Sequence, residues 1–138
     1  MDKPQPIVEF SERGVITIGD IQAASVLDAL NVDQFGKEVL AHVHANPGIN
    51  LLLNFEKVEY LSSAVLTELI RINQACTETG GHVRLCALNS NVKKVFEITN
   101  LDKFFVVYDE AEGAVKRFAR SLAIEADEQS WTDITKDM

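Results

Sequence analysis

The segment that most constrains the fold of this chain is residues 49–55, Ile-Asn-Leu-Leu-Leu-Asn-Phe. It follows Asn46-Pro47-Gly48, which stops any preceding helix, and it is too short to form a helix of its own. A nearly continuous apolar run of this length is typical of a central strand that is covered on both faces. Strands of this kind occur in parallel sheets flanked by helices, so the segment predicts an α/β fold.

A clear helical pattern follows this strand at residues 63–79. Apolar residues from Val65 to Cys76 fall at i, i+4, i+7 and i+11, which is the spacing of one helical face, and Gly80-Gly81 ends the helix. Residues 82–88 are then expected to form a further strand. Because parallel strands need crossover connections, this strand–helix–strand order favours a mostly parallel sheet of four to five strands with about four flanking helices.

The other elements are predicted from shorter patterns. Residues 19–31 leave a loop and a helical turn both open. Before the central strand we expect an N-terminal hairpin of residues 7–10 and 15–18 that turns at Gly14, and then a helix from an N-cap at Asp33 to residue 45. After the strand at 82–88 we expect a helix capped within residues 89–91, a strand at 104–108 and a helix from 109 to about 122.

The chain has 138 residues, which corresponds to one domain. We assign residues 1–122 to that domain and residues 123–138 to an acidic C-terminal tail. The tail carries a net charge of −4 from five acidic residues and Lys136, which is half of the net charge of the whole chain. We expect the tail to be mobile, with Trp131 as its only large anchor.

The composition excludes several classes of protein. A net charge of −8 and a pI near 4.8 disfavour a nucleic-acid binder. The absence of an apolar run of about 18 residues disfavours membrane insertion, and the first residues do not resemble a signal peptide. Cys76 and Cys86 lie in apolar segments without metal-ligand spacing, which favours reduced thiols and a cytoplasmic protein.

Few residues in the sequence point to catalysis. His42 and His44 are two positions apart on a predicted helix, so they face different directions and cannot share a metal ion. His82 is expected at the start of a strand, and no glycine-rich phosphate loop is present. We therefore expect no enzyme activity, no metal and no cofactor.

Two serines at the start of the best helix stand out. Ser62 and Ser63 fall at its first turn, where backbone N–H groups lack partners and the positive end of the helix dipole lies. One interpretation is plain N-capping, because a serine oxygen accepts hydrogen bonds from those N–H groups. The other is a phosphorylation site, since a helix start tolerates the added negative charge. The spacing alone leaves both open.

Three segments of the chain resemble a known family. Residues 53–66, Leu-Asn-Phe-Glu-Lys-Val-Glu-Tyr-Leu-Ser-Ser-Ala-Val-Leu, are similar to the V-x-(F/Y)-(L/M)-D-S-S-(G/A)-L pattern of STAS domains, the fold of the anti-sigma factor antagonists. Residues 80–86 and 95–105 match its G-G-x-L-x-L strand and the segment that follows. The resemblance covers residues 7–118 and is close to stand-alone planctomycete-type versions.

The resemblance implies a protein-binding switch. In the family, the unphosphorylated domain binds an anti-sigma factor that is often a serine kinase, and a PP2C-type phosphatase reverses the phosphorylation. The phosphorylated serine corresponds to Ser63, with Ser62 as second choice. Three positions depart from the family pattern. An acidic residue is common at the position of Leu61, an aspartate at that of Asn54 and a glycine at that of Ala64. The residues implied to bind the partner are Asn54, Tyr60, Leu61, Ser62, Ser63 and Ala64.

The sequence leaves two other functions open. It also leaves open whether the chain forms a homodimer. One is a constitutive adaptor within a transporter or signalling scaffold, which the apolar Leu61 favours because it would enlarge an apolar contact surface. The other is a sensor of a small ligand, for which no phosphate-binding loop is present.

Overall fold

The computed structural model describes residues 6–22, 26–27 and 31–136, with only the backbone described at 26–27 and 127–136. Its main sheet has five strands in the order β1-β2-β4-β6-β7, and β3 and β5 form a separate parallel pair. The strands are β1 (Val8–Arg13), β2 (Ile16–Ile21), β3 (Val26–Leu27), β4 (Asn50–Asn54), β5 (Tyr60–Leu61), β6 (His82–Cys86) and β7 (Val107–Tyr108). The helices are α1 (Val32–Ala45), α2 (Ser63–Glu78), α3 (Ser90–Ile98) and α4 (Ala111–Lys136).

The sheet confirms the predicted fold class. Strand β4 lies at its centre, parallel to β2 on one side and to β6 on the other, and its apolar residues are fully buried. Strand β1 is antiparallel to β2, with the turn of this hairpin at Gly14, where φ is +62°. A positive φ favours glycine because it lacks a Cβ atom.

Helices cover both faces of the sheet, as the apolar run of β4 requires. On one face α1, α2 and α3 pack into a core that includes Phe35, Leu69 and Phe96. On the other face α4 packs with Phe118 and Ala114 against β2 and β4. No helix within residues 6–22 and 31–136 combines the length and apolar character that crossing a bilayer requires.

Two predicted boundaries are wrong, and part of the segment that was left open is now assigned. The N-cap of α1 is Asn31, whose carbonyl accepts from the N–H of Phe35, and Asp33 lies in the first turn of the helix. Residues 104–106 are not part of the last strand, because the chain turns there after α3 and the N–H groups of Phe104 and Phe105 both donate to the carbonyl of Leu101. In the open segment 19–31, β2 extends to Ile21; residues 23–25 and 28–30 lie outside the described residues.

The largest correction concerns the C-terminus. Helix α4 does not end near residue 122 but continues to Lys136, so residues 123–136 are helical. No glycine or proline occurs after Gly113, so nothing in the sequence breaks the helix. Residues 137–138 lie outside the described part, and a domain boundary at residue 122 stays a prediction.

Candidate partner-binding site at the start of helix α2

The two serines lie at the carboxyl edge of the sheet. Strand β4 ends at Asn54, residues 55–59 form a loop, and β5 pairs in parallel with β3 before α2 begins at Ser63. The backbone at Ser62 is extended, which directs the chain from β5 into the helix. The first turn of α2 therefore lies at the end of the sheet to which the parallel strands point.

Three of the six predicted contact residues lie on the surface. Tyr60 is 54% exposed, and Ser63 and Ala64 are exposed as well. Ser63 is the first residue of α2, so its hydroxyl lies at the positive end of the helix dipole. A kinase or a binding partner can reach this surface without any change in the fold.

Ser62 differs sharply from its neighbour. Its Oγ atom is buried and has no hydrogen-bond partner among the described residues. Although Ser62 occupies the N-cap position of α2, its side chain accepts no hydrogen bond from the helix. The N-capping interpretation is therefore wrong for Ser62. What the structure shows instead is a buried, unsatisfied hydroxyl next to an exposed one.

Asn54 and Leu61 lie inside the fold. Leu61 is only 9% exposed and belongs to the core under α1, α2 and α3. Asn54 is 8% exposed; its amide donates to Asp20 Oδ1 at 2.7 Å, and its Oδ1 accepts from the N–H of Glu56 at 3.1 Å. Both residues therefore belong to the interior next to the site and not to its exposed surface. The expected apolar surface at Leu61 is not present, which removes the observation that favoured a constitutive adaptor.

Asn89 supports the site in a way that sequence patterns did not indicate. Its Oδ1 caps α3 by accepting from the N–H of Val92 at 2.9 Å, as predicted for this segment. Its amide also donates to the carbonyls of Val58 and Glu59, at 3.3 and 3.0 Å. One side chain thus ties the start of α3 to the loop that precedes Tyr60. Only the cap has a sequence signal, because the loop lies about thirty residues earlier in the chain.

The groups that were considered for catalysis are held in structural contacts. Burial raises the pKa of Cys76 to about 11, and burial together with the carboxylates of Asp20, Glu110 and Glu56 raises the pKa of Cys86 to about 12. His42 stacks on Phe10 with a centroid distance of 3.9 Å. Within the described ranges no three His, Cys, Asp or Glu side chains come together as a metal site would require.

The chain is similar in sequence to a known protein family and to a named relative. The profile of the STAS domain family matches residues 10–114. BtrV of Bordetella bronchiseptica, named as a candidate anti-sigma factor antagonist, is 28% identical over 97 residues, which cover 70% of this chain and 83% of that protein.

Solved structures share the same fold. The anti-sigma-factor antagonist (STAS) domain protein of Planctomyces limnophilus superposes with a TM-score of 0.76 at 21% identity, over 81% of this chain and 97% of its own. SpoIIAA superposes in its unphosphorylated form with a TM-score of 0.68 at 16% identity, over 80% of this chain and 94% of its own. The phosphorylated form from Bacillus gives 0.62 at 15% identity, over 80% of this chain and 97% of its own.

Proposed function

Because the chain belongs to the STAS domain family, we propose that it is an anti-sigma factor antagonist whose binding surface is switched by phosphorylation of Ser63. In its unphosphorylated form it binds an anti-sigma factor with serine kinase activity, in the cytoplasm. Phosphorylation releases that partner, and a PP2C-type phosphatase restores binding. The observation that carries the proposal is the exposed hydroxyl of Ser63 on the first turn of α2.

The surface around Ser63 supports the choice of this residue over Ser62. A kinase needs a hydroxyl that can enter its active site, and the Oγ atom of Ser62 is buried. Tyr60, three residues before Ser63 in the chain, is a large exposed side chain of the type enriched in the centres of interfaces. The relatives supply a parallel, since SpoIIAA has been solved in both unphosphorylated and phosphorylated forms.

The chemistry of such a switch requires no rearrangement of the domain. A phosphate adds about 1.5 to 2 negative charges, which the start of a helix accommodates in the free protein. In the complex the same charge is desolvated, and against an acidic group of the partner it costs several kcal/mol. Each 1.4 kcal/mol changes the affinity about tenfold, so one phosphate suffices to release the partner.

Substitutions at Ser63 test the proposal. We expect that Ser63→Ala, expressed in the native cells, co-purifies with a protein that contains a kinase domain, and that Ser63→Asp does not. The matched control is Ser62→Ala, which leaves the exposed hydroxyl in place and retains the partner. Equal recovery of the partner with Ser63→Ala and Ser63→Asp would refute the switch.

A further inference from the structure

Helix α4 is longer than its contacts with the domain require. Residues 111–122 pack on the sheet through Ala114, Phe118 and the half-buried Leu122, whereas residues 123–126 are all exposed. The extension of residues 123–136 adds about 21 Å of helix at 1.5 Å per residue. A helical segment of this length is marginally stable in water by itself, so a packing partner is expected for it.

The extension lies outside the part of the chain that matches the family profile. The family match ends at residue 114, before the second half of α4 begins. Glu125, on the inner side of the helix, is anchored to the sheet, with its carboxylate oxygens 3.4 Å from His82 Nε2 and 3.8 Å from Arg84 Nη2. This anchor fixes the start of the extension to the sheet, while Arg117, Arg120 and Ile124 on the opposite side of the helix are exposed.

The outer face of α4 has opposite charges at its two ends. Positions 117, 120, 124, 127, 128 and 131 recur at intervals of three and four residues and therefore share one helical face. Arg117 and Arg120, exposed, occupy the first half and Asp127 and Glu128 the second. Ile124 lies between them and is 52% exposed.

We propose that this outer face binds a second copy of the same chain, with the two α4 helices antiparallel and crossing at Ile124. A two-fold axis at Ile124 places Arg120 of one copy level with Glu128 of the other, and Arg117 level with Trp131. The Arg120–Glu128 charge pair and the Arg117–Trp131 pair each form twice because the interface is isologous. Ile124 lies near the midpoint of Ala111–Lys136, so the helices overlap along nearly their whole length of about 39 Å.

The arrangement also explains why the pairing is antiparallel. In a parallel pair the two arginine-bearing halves would face each other, as would the two acidic halves, and like charges in contact disfavour association. The Ser63 surface lies at the start of α2, and no described residue of α4 is part of it. The dimer is therefore independent of the proposed switch at Ser63.

Charge exchange tests the interface in the full chain. We expect a dimer by analytical ultracentrifugation, a dissociation constant at least about tenfold higher for Arg120→Glu and for Glu128→Arg, and recovery in the Arg120→Glu/Glu128→Arg double variant. Lys93→Glu, the same kind of charge reversal on the exposed face of α3, is the control and leaves the dimer unchanged. A monomeric wild-type chain at all soluble concentrations, or a dimer that none of these changes affects, would overturn the proposal.

A cross-link tests the position of the axis. Only a residue on the two-fold axis lies next to its own copy, so Ile124→Cys is expected to form a disulfide-linked dimer under mild oxidation. After the same oxidation, Glu112→Cys, near the start of the helix, is expected to run as a monomer on a non-reducing SDS gel. Efficient cross-linking at position 112 and none at 124 would contradict the antiparallel arrangement, whatever the outcome of the Ser63 experiments.

Discussion

Among single residues, the clearest contrast is between Ser62 and Ser63 at the start of α2. Two identical side chains in adjacent positions have different environments: the Oγ atom of Ser62 is buried without a hydrogen bond, whereas Ser63 is exposed. A sequence pattern treats them as alternatives for the same role. The structure separates them, because the residue Ser63 is exposed to solvent whereas the Oγ atom of Ser62 lies in the interior of the fold.

Replacement of Ser62 by alanine tests its buried state. An unsatisfied buried hydroxyl costs about 1–3 kcal/mol, so we expect the free energy of unfolding of Ser62→Ala to be unchanged or up to about 1 kcal/mol higher than that of the wild type. Urea denaturation measures it. A loss of about 1 kcal/mol would mean that Ser62 caps α2 in solution after all.

Asn54 gives a second residue-scale prediction, with a defined pH dependence. Its amide donates to Asp20, so Asn54→Asp replaces a donor by a carboxylate and brings two carboxylates together. We expect a loss of about 1–3 kcal/mol at pH 7. The repulsion raises the pKa of the pair in the folded state, so the lost stability returns as the pH falls and one carboxyl group is protonated.

The control for this variant is Asn91→Asp, the same change at an exposed position of α3. Chemical denaturation at pH 7 and near pH 4 measures both variants. If the deficit of Asn54→Asp relative to the control is as large at pH 4 as at pH 7, the two carboxylates do not interact and the account of Asn54 is wrong.

At the scale of elements, Asn89 couples α3 to the loop before Tyr60. Asn89→Asp keeps the oxygen that caps α3 but loses both donors to the loop, whereas Asn89→Ala loses both functions. We therefore expect faster hydrogen exchange in residues 55–62 for both variants, and faster exchange at the start of α3 for the alanine variant alone. Unchanged protection of the loop in Asn89→Asp would show that the side chain serves only as a cap.

The elements also show how far sequence patterns reach. The central strand and helix α2 were predicted almost to the residue, because a continuous apolar run after Pro-Gly and an unbroken helical stripe each have one good interpretation. The last strand and the end of α4 were not. Phe104 and Phe105 have strand-forming side chains, but the chain turns there because their N–H groups donate to the carbonyl of Leu101. Residues 123–136 are polar enough to suggest a tail, yet nothing in them ends a helix.

The candidate site was predicted only in part, for a related reason. Its position at the start of α2 follows from the order of the elements and from the family resemblance. The orientation of each side chain does not, because it depends on contacts with residues far apart in the sequence. Asn54 meets Asp20 and Asn89 meets Val58, and neither pair is visible in a local pattern.

At the scale of the whole molecule, the two cysteines report on the two sides of the sheet. Cys76 lies in the core under α1 to α3, and Cys86 lies in the core under α4. Their pKa values of about 11 and about 12 keep both thiols protonated and unreactive at pH 8 in the folded protein. Glu112→Cys, with a thiol at an exposed position outside the proposed dimer axis, is the positive control for the reagent.

A thiol reagent in increasing urea therefore tests the cooperativity of the domain. We expect both cysteines to react in a single transition that coincides with the loss of helical signal, because a single domain of this size unfolds as one unit. Reaction of Cys86 at clearly lower urea than Cys76 would show that α4 separates from the sheet before the rest unfolds.

The proposed switch at Ser63 can be tested by phosphopeptide mass spectrometry on the protein isolated from its own cells, during growth and under stress. We expect phosphate on Ser63 in an amount that changes with the condition, and none on Ser62 because its hydroxyl is buried. Absence of phosphate from Ser63 in every condition would show that Ser63 is not a phosphorylation switch.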